Sequence, residues 1–289
     1  MELSSPITIY WDLPATAADP SLLLAIAAGI IDCRPLMLNV TSTAPTSPGW
    51  LGEVLERFRG GPAAVTLTIP PQAHDDTVRA LVAHGAVREL FLDVDHADLL
   101  DSGEWQDEPS AGVSYAVTHG NWRELPPLVH YCLDRGVTRL VLPMQRLYGG
   151  EPPFFLTMNE QRELANALDA EGGARRLALT IHDPFLWRAF NPGVPFPQGG
   201  CQAANTMIAI APDGGVYPCP TLPVRLGTAG EMPLQELIAS EAKKAFRRRL
   251  LEHPRACGAC GELAECRGGC RGRAYVMHQS LEGEDPSCW

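Results

Sequence analysis

Residues 257–270 read Cys-Gly-Ala-Cys-Gly-Glu-Leu-Ala-Glu-Cys-Arg-Gly-Gly-Cys, which places thiols at Cys257, Cys260, Cys266 and Cys270. Two cysteines separated by two residues can turn both sulfurs toward one metal through a tight loop, so this spacing recurs in metal sites. Gly258, Gly261, Gly268 and Gly269 let the backbone turn closely between the thiols. A lone Cys-x2-Cys is a weak signal, because thioredoxin-like redox motifs share it. Four cysteines at these intervals are a strong one.

Working outward, Cys288 is the penultimate residue and Cys201 and Cys219 lie upstream. Between those two, Met207-Ile208-Ala209-Ile210, Pro212-Asp213-Gly214-Gly215 and Val216-Tyr217-Pro218 read as strand, turn and returning strand. Such a hairpin brings Cys201 and Cys219 near each other. The stretch Pro233–Leu251 is helix-patterned. Leu234, Leu237, Ile238, Ala242, Ala245, Phe246 and Leu250 form its apolar side, and Lys243, Lys244, Arg247, Arg248 and Arg249 its basic side. The basic side is read as a solvated face, or one turned toward an acidic partner or thiolate-bound clusters. Cys33 and Cys132 stand apart in apolar helical stretches and read as small buried hydrophobes.

Upstream of Cys201 the chain alternates short aliphatic runs with helical patterns. Strands are predicted at Ile7–Leu13, Leu36–Val40, Ala64–Ile69, Glu89–Val94, Val113–Val117, Arg139–Pro143 and Leu177–Ile181. Helices are predicted at Ser21–Gly29, Gly49–Arg59, Asp75–His84, Asn121–Arg135 and Asn159–Asp169. Asp19-Pro20 supplies an N-cap with proline at the first helical position, and Gly85 and Gly136 sit at helix C-caps. This alternation means βαβ units and a parallel sheet. The fold class is α/β, as a closed or partial (β/α) barrel, with an open doubly wound sheet as the alternative. Asp183–Gly200, with Pro184, Pro192, Pro195 and Pro197, reads as a connector. The expected domains are therefore 1–198 and 199–289.

Barrel chemistry gathers at the C-terminal ends of strands. Thr41-Ser42-Thr43, Asp93, Asp95, Thr118-His119 and His182-Asp183 stand there. None forms a nucleophile–base pair at readable spacing, no glycine-rich phosphate loop follows a strand, and each reads first as a cap or turn residue. No catalytic residue is assigned. The 289 residues carry a formal net charge of −11, which argues against a nucleic-acid or anionic-membrane surface. No run of about 18 apolar residues is present to span a bilayer. The N-terminal residues lack the basic region of a signal peptide, so a cytoplasmic location with reduced thiols is expected.

The pattern Cys201-x12-Gly214-x4-Cys219, then Cys257-x2-Cys260-x5-Cys266-x3-Cys270, then Cys288 resembles the seven-cysteine SPASM domain. That domain is the auxiliary-cluster module of radical S-adenosylmethionine (SAM) peptide-modifying enzymes, and the preceding β/α region resembles their partial barrel. The resemblance implies two iron–sulfur clusters, [4Fe–4S] in type. Cys201, Cys219 and Cys270 would hold the first, and Cys257, Cys260, Cys266 and Cys288 the second. The first then lacks a fourth cysteine, and His182 and Asp183 are conceivable substitutes. The family's Cys-x3-Cys-x2-Cys, which holds the SAM cluster, belongs in the loop after the first strand. Here that loop is Leu13-Pro14-Ala15-Thr16-Ala17-Ala18-Asp19-Pro20, without cysteine, so no SAM cluster is expected. Gly149-Gly150-Glu151-Pro152 mimics the family's cofactor-amine motif but follows the sixth strand instead of the second. From Ser4-Ser5-Pro6 and Tyr10-Trp11-Asp12-Leu13 onward, the chain resembles the SPASM partner of GeoRSP-type systems. This implies an electron-transferring or docking partner for an active radical SAM protein and a small peptide-binding protein, acting on a peptide. The alternatives are a stand-alone enzyme using an open iron of the first cluster, and a structural zinc protein.

Overall fold

The computed structural model describes residues 3, 5–16, 19–96, 111–171, 174–197 and 199–288. In chain order the elements are β1 (Thr8–Asp12), α1 (Pro20–Cys33), β2 (Met37–Thr41), α2 (Leu51–Glu56), β3 (Ala64–Ile69), α3 (Asp76–Ala83) and β4 (Glu89–Val94). Next come β5 (Gly112–Tyr115), α4 (Leu125–Asp134), β6 (Arg139–Leu142), α5 (Met158–Glu171), β7 (Ala178–Ile181) and α6 (Pro184–Phe190). The cysteine-rich part adds β8 (Met207–Ile210), β9 (Gly215–Tyr217), β10 (Gly227–Thr228), α7 (Leu234–Ala239), α8 (Glu241–Leu251), α9 (Leu263–Cys266) and α10 (Arg271–His278). Among the described residues no helix is long and apolar enough to cross a membrane.

The chain divides into two compact units, each assembled from separated stretches. The first comprises Met1–Asp93, Glu104–Ala111 and Ala203–Arg248. Its strands run in the order β10-β9-β8-β1-β2-β3-β4. β1 through β4 pair in parallel, as the alternation of strands and helices requires. The hairpin of β8 and β9 is antiparallel, and β8 lies parallel to β1, with Thr8 opposite Met207 and Trp11 opposite Ile210. Ile9, Leu38, Val40, Leu67, Ile69 and Leu90 of the strands and Ile26, Ile30, Leu55 and Val78 of the helices are all buried. The other faces of β2 and β3 carry half-buried Asn39, Thr41, Thr66 and Thr68, with Asn39 beside Thr66 and Thr41 beside Thr68.

The second unit comprises Val94–Gly103, Gly112–Gln202 and Arg249–Trp289. Its strands run β5-β6-β7, all parallel. Val113, Tyr115, Leu140 and Leu142 form its core with Leu128, Val129 and Leu164.

The predicted strands all form, within one or two residues of their expected ends. Asp19 caps α1 by accepting from the Ser21 amide at 2.9 Å. Gly85 and Gly136 take positive φ of 74° and 73° past their helices. Three readings are corrected. Part of the supposed connector is α6, capped by Asp183, whose Oδ1 accepts from the Phe185 and Leu186 amides at 2.8 and 3.1 Å. The Pro233–Leu251 pattern breaks at extended Ser240 into α7 and α8. The basic side of α8 is not uniformly solvated: Lys243 and Arg247 are only 2% and 4% exposed, and Arg247 donates to the Ala203 carbonyl at 3.1 Å. Lys244 pairs with Glu241 at 2.8 Å.

Candidate metal centre

Five of the seven C-terminal cysteines stand on a short run of turns in the second unit, and local bonds fix them there. Pro254 opens a 3-10 turn ending at Cys257, and the Cys260 amide returns to the Cys257 carbonyl at 2.9 Å. The two thiols are thus carried on one tight loop, as the two-residue spacing predicts. Cys266 closes α9, with its amide on the Glu262 carbonyl at 3.0 Å. Then Arg267, Gly268 and Gly269 take φ of 52°, 88° and 61° in succession. A Cβ on Gly269 would stand 2.6 Å from an Asp285 oxygen, and one on Gly268 would stand 2.8 Å from Pro254. Only glycine fits these two positions, and the left-handed run turns the chain between Cys266 and Cys270.

Cys270 starts α10, and its amide donates to Asp285 Oδ2 at 2.6 Å. Cys288 ends a 3-10 turn from Pro286, with its amide on the Asp285 carbonyl at 2.9 Å. The Ser287 amide donates to Asp285 Oδ1 at 3.0 Å. One carboxylate therefore ties down the segments bearing Cys270 and Cys288, one from each expected ligand set. Asp285 is fully buried and Arg273 is 3% exposed. Arg273 reaches Asp285 through Nε at 3.1 Å and Nη2 at 2.8 Å, and its Nη1 also pairs with Asp183. Burial works against the guanidinium charge, but Asp183 and then Asp285 outweigh it and hold Arg273 above its ordinary value. Gln161 adds a bond to this end of the chain, donating to the Ser287 carbonyl at 2.8 Å. Trp289, the last residue, lies outside the described residues.

The thiols register one another electrostatically. Burial raises the Cys257 thiol, and Cys266 and Cys260 raise it further. Cys288 is pushed up to about 12 by burial, then by Asp285, then by Cys266, Cys257 and Cys260. Cys266 and Cys260 thus lie within electrostatic reach of both Cys257 and Cys288. Cys270 is also pushed up to about 12 by burial, but its charged neighbours are Arg273, Asp285 and Asp183. Thiols held this high are protonated near neutrality, so a metal must displace their protons. Among the described residues no three His, Cys, Asp or Glu side chains stand as ligands to a single metal ion. Thiolates around a polynuclear cluster stand farther apart than those around one ion, so the two kinds of site make different demands.

Two buried donors beside these cysteines lack an acceptor: Nε of Arg271 and Oγ of Ser287. Sulfide and thiolate sulfurs of a cluster accept such bonds and carry negative charge, so this sulfur-rich donor set and its orphaned N–H and O–H fit an iron–sulfur group. In the first unit, Cys219 is buried directly after β9. It follows the predicted Pro212-Asp213-Gly214 turn, in which Asp213 accepts from the Gly215 amide at 2.8 Å.

Of the conceivable fourth ligands, Asp183 is committed to capping α6 and pairing with Arg273. His182 is reached by solvent yet crowded by protein, and desolvation and then Arg146 hold its imidazole below the ordinary value. His119 packs edge-on against Phe154 and Phe155, with ring centroids 5.2 and 5.4 Å away. Cys33 and Cys132 are buried, and burial pushes their thiols up to about 11 and about 12. Gly149 donates to Glu151 at 3.0 Å within the loop after β6. Sequence reading missed Asp285, Arg273, Arg271 and Ser287. The available signal was the Cys-Arg-x-Arg run at 270–273, whose charges follow directly on a thiol.

Comparison with known proteins bears on both parts of the chain. Residues 201–261 match SPASM, described as an iron–sulfur cluster-binding domain. Mycofactocin maturase MftC of Mycobacterium ulcerans is 34% identical over 91 residues, covering 30% of this chain and 25% of that protein. The matched stretch therefore spans about a quarter of that relative. Streptococcus suis SuiB, solved with its precursor peptide SuiA, superposes with a TM-score of 0.72 at 16% identity, over 99% of this chain and 76% of that one. The structure titled native anSMEcpe with bound AdoMet gives 0.68 at 14% identity, over 97% and 94%. The fold is that of radical SAM/SPASM enzymes, a partial (β/α) barrel of mostly parallel strands with a SPASM domain toward the C-terminus, as the resemblance implied.

Proposed function

We propose, from the SPASM iron–sulfur cluster-binding domain over residues 201–261, that this protein is a two-cluster partner or electron-transfer subunit of a radical SAM peptide-maturation system. The reading assigns Cys201, Cys219 and Cys270 to one [4Fe–4S] cluster and Cys257, Cys260, Cys266 and Cys288 to the other. The observation that carries it is a contrast within one chain. All seven cysteines of the SPASM pattern are present, whereas the loop Leu13–Pro20 contains no thiol to hold a SAM-cleaving cluster. The clusters, when bound, supply one-electron transfer.

The residues around them hold ligands and exclude water. Asp285 clamps the Cys270 and Cys288 segments. Arg273 offsets the buried carboxylate charge, and the Gly268-Gly269 turn reverses the chain between Cys266 and Cys270. A peptide substrate fits the SuiA complex of SuiB, and a cytoplasmic setting fits cysteines clustered as metal ligands.

The test is anaerobic iron and acid-labile sulfide analysis, followed by an assay for 5′-deoxyadenosine. The protein alone should carry about eight irons, the sum of two [4Fe–4S] clusters, and should release no 5′-deoxyadenosine. With an active radical SAM enzyme and its peptide, it should raise turnover. Release of 5′-deoxyadenosine by the isolated protein would refute the partner reading, and stoichiometric zinc without sulfide would refute the cluster reading.

A further inference from the structure

Arg271 follows Cys270 directly, yet its side chain is only 2% exposed. Burying a guanidinium is costly unless it is fully paired, and no carboxylate is hydrogen-bonded to this one. Backbone carbonyls hold its fork instead. Nη1 donates to the carbonyls of Leu250 and Glu252 at 3.3 and 2.8 Å, and Nη2 to that of Leu281 at 2.6 Å. Three carbonyls fix the plane and direction of the group but supply no full negative charge. Nε stays buried without an acceptor, which is a cost unless something absent from the protein itself completes it. Cys201, Glu282, Cys257 and Glu252 lie within its electrostatic reach, the two cysteines as thiolates only once a metal has displaced their protons. Cys201 belongs to one proposed ligand set and Cys257 to the other, so this cation serves both.

We propose that Arg271 is a positioning and tuning residue for the bound clusters: its Nε–H donates to a cluster sulfur, and its buried charge raises the reduction potential of both clusters. The inference rests on the two-cluster reading above. Reduction adds an electron to each cluster, so a fixed cation beside it stabilises the reduced form, and hydrogen bonds to cluster sulfurs act in the same direction. A chain that spends a buried arginine on carbonyls alone would have no use for the charge, since a neutral donor could make the same bonds.

The direct test leaves the protein unaltered. Holoprotein carrying 15N-labelled arginine is reduced anaerobically and examined by pulsed electron paramagnetic resonance. A 15N hyperfine coupling to a reduced cluster is expected, and Arg271→Lys should abolish it. Clusters present without that coupling, or a coupling that survives in Arg271→Lys, would overturn the inference. Redox titration then tests the charge. Arg271→Gln should lower both midpoint potentials by at least tenfold in the reduction equilibrium, about 59 mV for a one-electron couple. Arg271→Lys should stay closer to wild type. Equal potentials in wild type and Arg271→Gln would overturn the tuning role. Should Arg271→Gln fail to fold, the labelled wild-type spectrum decides alone. A wild-type protein without iron would instead overturn the two-cluster reading, an outcome separable from these by metal analysis.

Discussion

Replacing Asp285 by Asn changes almost no volume but removes one charge from a sealed network. The wild-type carboxylate accepts four hydrogen bonds: from the Cys270 amide at 2.6 Å, the Ser287 amide at 3.0 Å, and Arg273 Nε and Nη2 at 3.1 and 2.8 Å. Each oxygen accepts one backbone amide and one guanidinium N–H, so in either orientation the asparagine NH2 meets both a backbone donor and an Arg273 donor. Breaking a buried ion pair costs about 3–5 kcal/mol, because the remaining charge stays buried without its counter-ion. Arg273 keeps Asp183, whose side chain is 20% exposed, so the loss should fall at the lower end, about 3 kcal/mol.

Asp183→Asn is the matched control. Asparagine caps a helix as well as aspartate does, and this carboxylate is partly reached by water, so about 1 kcal/mol is expected. The assay is urea unfolding of both variants without metal, under anaerobic reducing conditions, followed by far-UV circular dichroism. A comparison of m-values checks that the same surface is exposed. Asp285→Asn should also lower iron content in both cluster sets, since the carboxylate holds a segment of each. A loss below about 1 kcal/mol for Asp285→Asn, or a larger loss for Asp183→Asn, would refute the clamp.

Other expectations follow from the same geometry. Cys288→Ser should lose the second cluster while far-UV circular dichroism remains near wild type; iron per chain reads this directly, and unchanged iron would remove Cys288 from the ligand set. Gly269→Ala forces a Cβ to within 2.6 Å of an Asp285 oxygen at a φ of 61°, so it should cost about 1–3 kcal/mol in backbone strain alone and more through the displaced clamp. Urea unfolding of Gly269→Ala reads this loss, and a drop of less than about 0.5 kcal/mol from wild type would show that the strain is absent. Cys33 and Cys132 favour the neutral thiol when folded, since burial lifts them from the ordinary 9.0 to about 11 and about 12. Their contribution is complete below about 9 and fades as pH climbs through those values. The double variant Cys33→Ala/Cys132→Ala should therefore lose less stability across that alkaline window in thermal melts, and an identical slope would contradict the burial of both thiols.

Much of the fold was legible because its signals are local. Alternating aliphatic runs such as Ala64–Ile69, a cap such as Asp19 before Pro20, and glycines such as Gly85 each act within a few residues. α6 is masked by Pro184, which reads as a breaker, although Asp183-Pro184 repeats the cap-then-proline start of α1. The basic residues of α8 were read by charge alone. Burial of Arg247 depends on the Ala203 carbonyl, 44 positions away in sequence, and no periodicity reports such a partner. The cysteine spacing gave the metal chemistry, since ligand loops are short. The Asp285 clamp could not be read in the same way: its value lies in two backbone amides and a guanidinium that the fold assembles around it.

The pairing of β8 with β1 bears on how the protein is made. Thr8 meets Met207 across that ladder, so during synthesis β1 waits about 200 residues for this neighbour. During that interval one edge of β1 carries unsatisfied amides and carbonyls, the kind of edge that recruits stray strands. A fragment ending before residue 203 would keep this edge permanently bare. It should therefore aggregate in preference to behaving as an isolated barrel, and anyone dissecting the protein would do better to leave residues 203–248 attached to the N-terminal stretch.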